Sequence, residues 1–199
     1  MGAFFQSIGR TVGAGVAFLI VMVVIAGLGT GNWVGIQSYG WWATFFFRWL
    51  HVLSGVMWIG LLWYFNFVQT PSMPKIPDEQ KPAISKVIAP AALFWFRWAA
   101  MSTIVTGLIV SSMMGYIGKA LSLQAGYHAI GLGMWMGAIM WFNVWFIIWP
   151  NQKKVLGIVN ASPEEKTAAA RLAGMTSRIN TMLSIPMLFC MVAQQNGGL

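Results

Sequence analysis

Polar or proline-rich segments divide the chain into five apolar stretches, near 12–28, 41–69, 98–116, 127–149 and 176–195. A membrane-crossing helix needs ~20 mainly apolar residues, and each stretch reads as one span. The second is long enough to tilt or to project beyond a bilayer. Arg10 ahead of a short apolar core gives the first some likeness to a signal peptide, but no A-x-A site follows, so it reads as a span. Residues 70–90 hold Pro71, Pro74, Pro77, Pro82 and Pro90, which argue for a long loop. Within 150–175, Ser162 suits an N-cap, Pro163 a first helical position, and Glu164 and Glu165 the positive end of a helix dipole. That piece reads as a short interfacial helix. The expected fold is all-α, an integral membrane bundle of five transmembrane helices.

The composition agrees. Of 199 residues, 58% are hydrophobic and 8% charged, against about a quarter charged in a soluble domain. The net charge of +8 does not form a nucleic-acid patch, because the basic residues sort by loop. Lys75, Lys81 and Lys86 fall in one long loop, and Lys153, Lys154, Lys166, Arg171 and Arg178 in or beside the other. The loop after the first span has no Lys or Arg, and the loop after the third has only Lys119. By the positive-inside rule the N-terminus and both long loops are cytoplasmic and the C-terminus is periplasmic, in a bacterial inner membrane. Membrane lipids are thus expected partners and nucleic acid is not.

The chain also repeats itself. HVLSGVMWIGLLWYFN from His51 aligns without a gap on HAIGLGMWMGAIMWFN from His128, matching His, Met, Trp, Gly, Phe and Asn. RWAAMST from Arg97 resembles RLAGMTS from Arg171. The predicted unit is a helical hairpin, and both copies begin outside, which makes a parallel, pseudo-twofold repeat. The organisation is then 1–40, a first transmembrane helix with its outer loop, and 41–199, a four-helix bundle with repeats about 41–116 and 127–195.

The repeat contains the only two histidines. An ionisable residue inside a span is costly and suggests function. At ~100° per residue, Trp58 and Phe65 share the stripe of His51, as Trp135 and Phe142 share that of His128. If both stripes face inward, the imidazoles meet near the bundle axis and supply two axial ligands for a b-type haem. Ser54, Gly55 and Gly131 would give a macrocycle room, although small residues serve close helix packing equally well. Arg48, one turn before His51, has no acid in any span to pair with. A haem propionate would suit its fork; snorkelling to the headgroups is the plainer alternative. Trp58 and Trp135 would wall the cavity. Asn66 and Asn143 read as interhelical hydrogen-bonding groups, and Cys190 as a packed thiol. A single cysteine excludes an intrachain disulfide and a CxxCH haem attachment, and two histidines exclude most all-protein zinc sites. There is no P-loop, dinucleotide fingerprint, HExxH or nucleophile elbow.

The segments WLHVLSGVMWIGLLWYFNFVQTP, NVWFIIWPNQKKVLG and SRINTMLSIPMLFCMVA resemble the membrane domain of the bacterial membrane-bound urate hydroxylases, over roughly residues 41–195. The histidine-on-helix pattern is more distantly similar to small b-haem membrane proteins such as the membrane protoporphyrinogen oxidases. The resemblance implies urate oxidation to 5-hydroxyisourate, with electrons leaving through a periplasmic cytochrome c domain. These 199 residues contain no CxxCH. The expectation is therefore a membrane b-haem redox protein that passes electrons to a separate extracytoplasmic c-type cytochrome. The competing expectations are a non-catalytic accessory subunit of a larger respiratory or oxygenase complex, and a small transporter.

Overall fold

A computed structural model describes residues 7–30 and 39–196. The uncharged loop expected after the first span falls largely on 31–38, outside the described residues. Every regular element among the described residues is helical. The chain forms two compact units, Met1–Phe45 and Phe46–Leu199. The first contains α1 (Ile8–Thr30) and the start of α2 (Tyr39–Trp63), where Trp41 stacks on Phe45.

The second unit contains the rest of α2, α3 (Ala89–Met113), the short α4 (Ile117–Leu121), α5 (His128–Phe142) and α6 (Pro163–Asn196). Its contacts arrange α2, α3, α5 and α6 in a cycle of antiparallel neighbours. Ser54 meets Ser102 and Phe65 meets Phe96 between α2 and α3. Trp98 meets Trp145 between α3 and the continuation of α5. Asn143 meets Asn180 between that continuation and α6, and Trp63 at the end of α2 donates to Ser184 of α6. Trp58, Leu62, Phe96, Met140 and Val144 fill the middle.

The proline-rich segment is more helical than its prolines suggest. α2 continues through a π-helical stretch, Tyr64–Gln69, and two short turns to Lys75. After 76–80 the helix restarts at Lys81 and runs through a second π stretch, Ile84–Ile88, into α3. The expected loop 70–90 thus shrinks to a tight turn, in which Lys81 binds Asp78 at 2.6 Å and holds its carboxyl below the usual range. The reason lies in the π segments. A helical proline lacks an N–H and its ring clashes with the carbonyl four residues back. A turn widened to an i→i+5 pattern relieves that clash. Each of the three π stretches, including Asn143–Ile148 after α5, is followed two residues later by a proline: Pro71, Pro90 and Pro150.

α6 corrects a second expectation. The interfacial helix and the last span are one helix of 34 residues. Its start is the expected one: Ser162 N–H donates to Glu165 Oε2 at 2.8 Å, and Glu165 N–H to Ser162 Oγ at 3.2 Å. This reciprocal pair is a capping box. Among the described residues, four helices are long and apolar enough to cross a membrane, within Ile8–Ile25, Gly40–Lys75, Lys81–Met113 and His128–Val155. α6, expected as the fifth, is not among them, because Thr176, Ser177, Asn180, Thr181 and Ser184 dilute its apolar half.

Those polar residues are what α6 buries. Asn180, fully buried, accepts from Asn143 at 2.8 Å and donates to the Met140 carbonyl at 2.9 Å. Asn66 donates both to Leu62 O and to Ser177 Oγ. Asn180→Leu leaves the Asn143 side-chain amide without its partner and removes one of the bonds to the Met140 carbonyl, and is expected to cost about 1–2 kcal/mol. Asn196→Leu, at the exposed last position of α6, is expected to change stability by less than about 0.5 kcal/mol. Unfolding titrations in detergent check the difference.

Candidate functional site

His51 faces α3 from one turn beyond Arg48. Its Nδ1 lies 2.8 Å from the Thr103 carbonyl, with Thr106 Oγ1 at 3.4 Å. A carbonyl only accepts, so the contact places the proton on Nδ1 and leaves Nε2 with a free lone pair. This is the orientation a metal-ligating imidazole adopts, with the outer nitrogen anchored to a backbone oxygen. The ring packs closely against Gly107, where an added Cβ would stand 2.8 Å from Cε1 and 3.0 Å from Nδ1. Thr103, Thr106 and Gly107 were not singled out from the sequence. The available signal was TIVTG on α3, a carbonyl-side threonine pair next to the one residue that lets a ring approach the backbone.

The second repeat is turned the other way. Trp58 is buried and Phe65 packs on the core, but Trp135 is 47% exposed, Phe142 is 51% exposed, and His128 is exposed at the first position of α5. The stripe of His51 therefore faces inward and that of His128 outward. The cause is the glycine pattern. Gly133 lies 3.2 Å from Cys190 Cβ, measured from the Cβ it lacks, so α5 turns its small face toward α6 and its aromatic face away. Trp135 does not join Trp58 around a cavity; its Nε1 donates to Leu121 O at 3.0 Å. Trp58 Nε1 has no protein partner.

The residues expected to make room for a macrocycle have other neighbours. Gly131 sits under the Ala120 carbonyl of α4, where any Cβ would overlap it. Ser54 Oγ shares a 2.7 Å hydrogen bond with Ser102, and Gly55 faces the Thr103 methyl. For haem, the donor chemistry of His51 fits one axial ligand, whereas His128 does not oppose it across the bundle. No cluster of three or more His, Cys, Asp and Glu is found among the described residues.

Arg48 Nη2 donates to the Met114 thioether at 2.8 Å, and its buried Nε has no partner. Arg97 places its guanidinium 3.3 Å from the centre of the Trp149 ring.

Residues 116–197 match the family model of the urate oxidase N-terminal domain. The matched segment covers α4, α5 and α6, with His128, Gly131 and Trp135, and leaves out Arg48 and His51. No curated protein and no solved structure matches the chain.

Gly131→Val is expected to displace α4 and lower stability by about 1–3 kcal/mol through overpacking. Gly107→Leu is expected to expel the His51 ring while leaving the helix content intact. Thermal melts and accessibility of His51 to diethyl pyrocarbonate, raised in Gly107→Leu and unchanged in Gly55→Ala, check the two.

Proposed function

We propose that this chain is a membrane-embedded redox protein of the urate hydroxylase kind, holding a b-type haem and passing electrons to an extracytoplasmic c-type cytochrome. The observation that carries the reading is the match of residues 116–197 to the urate oxidase N-terminal domain. The anchored tautomer of His51 supports the haem. In this reading five spans cross a bacterial inner membrane with the N-terminus inside, and the two hairpins are copies of one parallel repeat. The π stretches after α2 and in the continuation of α5 support that repeat, since each lies at or beside the repeated asparagine, Asn66 or Asn143.

His51 would hold the iron through Nε2, with Thr103 O fixing the ring and Gly107 leaving room for it. His128, exposed on the outward face of α5, does not oppose His51, so His51 is the ligand that the geometry of this chain supports. Arg48 would offset negative charge at the outer end of the bundle, where the chain has no Asp or Glu side chain. When bound, the haem supplies one-electron chemistry. The chain's own task is to orient the imidazole and exclude water around it. Urate oxidation to 5-hydroxyisourate is the chemistry this reading implies.

The outward face of His128 favours a second reading: an accessory subunit of a larger membrane complex, in which a neighbour covers that face. An absorption spectrum separates the two. Reduced-minus-oxidised α and Soret bands are expected from the purified protein, lost in His51→Ala. Loss in His128→Ala as well assigns both axial positions to this chain. A colourless, folded protein sinks the haem reading. Urate-dependent reduction of added cytochrome c then distinguishes an enzyme from an electron carrier.

A further inference from the structure

The segment between α3 and α5 is a built cap. Gly115, Leu123 and Gly126 adopt positive φ, and Leu123, with φ 53°, does so without a glycine's freedom. Three ties hold the segment down. Trp135 Nε1 donates to Leu121 O, Gln194 Nε2 donates to Gly126 O at 2.9 Å, and Gly131 admits the Ala120 carbonyl. Gln194 Oε1 also accepts from Ile130 N–H. What this scaffold presents is cationic and aromatic. Arg48 donates to Met114, two residues before Tyr116; the rings of Tyr116 and Tyr127 stack at 6.0 Å, and Lys119 Nζ lies 5.4 Å from the Tyr127 ring centroid.

No Asp or Glu side chain balances these charges. The four acids of the chain are Asp78, Glu79, Glu164 and Glu165. They sit in the turn before α3 and at the start of α6, at the opposite end of the antiparallel helices. The acceptor Arg48 has found is a thioether, a weak one, and its Nε is buried with no partner. A partly buried guanidinium favours a charge-assisted, forked acceptor, and a stacked tyrosine pair offers a flat apolar wall.

The geometry points to a small-anion site under this cap, with Arg48 as the fork, Tyr116 as a neutral donor, Lys119 as a second charge, and a planar organic monoanion as the ligand. The inference rests on the redox reading only in naming such an anion as the substrate; the site itself stands on the cap. Two other sources share the chemistry, a haem propionate and a lipid headgroup phosphate.

The test titrates the purified protein, in a non-ionic detergent, with urate and separately with benzoate, following intrinsic fluorescence and heat. Saturable binding of both is expected, weakened about tenfold or more in Arg48→Gln, as for loss of a charged hydrogen bond. A smaller loss is expected in Tyr116→Phe and Lys119→Gln, with partial recovery in Arg48→Lys and no change in Arg171→Gln. Circular dichroism checks that each variant is folded. Absence of saturable binding, or full binding in folded Arg48→Gln, overturns the site. So does displacement of both anions by short-chain phosphatidylglycerol at equal affinity, which makes it a lipid site. If Arg48→Gln lowers haem content while neither anion binds the wild type, the fork serves a propionate and the inference fails. A colourless protein that still binds the anions leaves the site standing and removes only the haem reading.

Discussion

The bundle depends on hydrogen bonds that α6 makes with its inner face. Helices surrounded by lipid gain little from burying apolar side chains against each other, so association rests on close packing and polar pairing. α6 supplies both. Asn180 and Ser184 are fully buried, and their partners lie on the continuation of α5 and at the end of α2. Cys190 closes on Gly133 where small side chains let the backbones approach. The same residues that make α6 the least apolar of the long helices in the bundle join it to α2 and to the continuation of α5.

The wide turns follow the same economy. Side-chain amides reach the carbonyls beside the π segments: Asn66 donates to Leu62 O within its own helix, and Asn180 donates to Met140 O across helices. A proline two residues after each π stretch is then tolerated in a continuous rod. Each copy of the repeated segment therefore meets α6 through its own asparagine. The repeat diverges elsewhere. Gly133 stands where α2 has Val56, and the close approach to α6 that it allows decides which way the aromatic stripe points.

Much of this was legible in the sequence. The apolar stretches set the helices, and Ser162, Pro163 and Glu165 marked the start of α6. Helix continuity was not legible, because proline in a one-dimensional reading is a breaker, and only the widened turn changes that. Nor was the fate of His128. A shared periodicity fixes which residues lie on one stripe, but the direction of the stripe is set by the packing of the opposite face, and here glycines decided it. For His51 the sequence gives the residue and its neighbours on α2. Its anchor lies on α3, 52 positions away at Thr103, where a common residue in a common spacing carries no mark of its role.

The double hydrogen bond of Gln194 has a mechanical consequence. One amide, near the end of α6, grips both the Gly126 carbonyl and the Ile130 N–H, so it straddles Tyr127 and His128. The last turn of α6 and the entry to α5 therefore move as one piece. A pull or a docking event on that turn is transmitted through a single side chain to Tyr127, whose ring stacks on Tyr116. The far end of the longest helix is in this sense a handle on the segment that roofs Arg48.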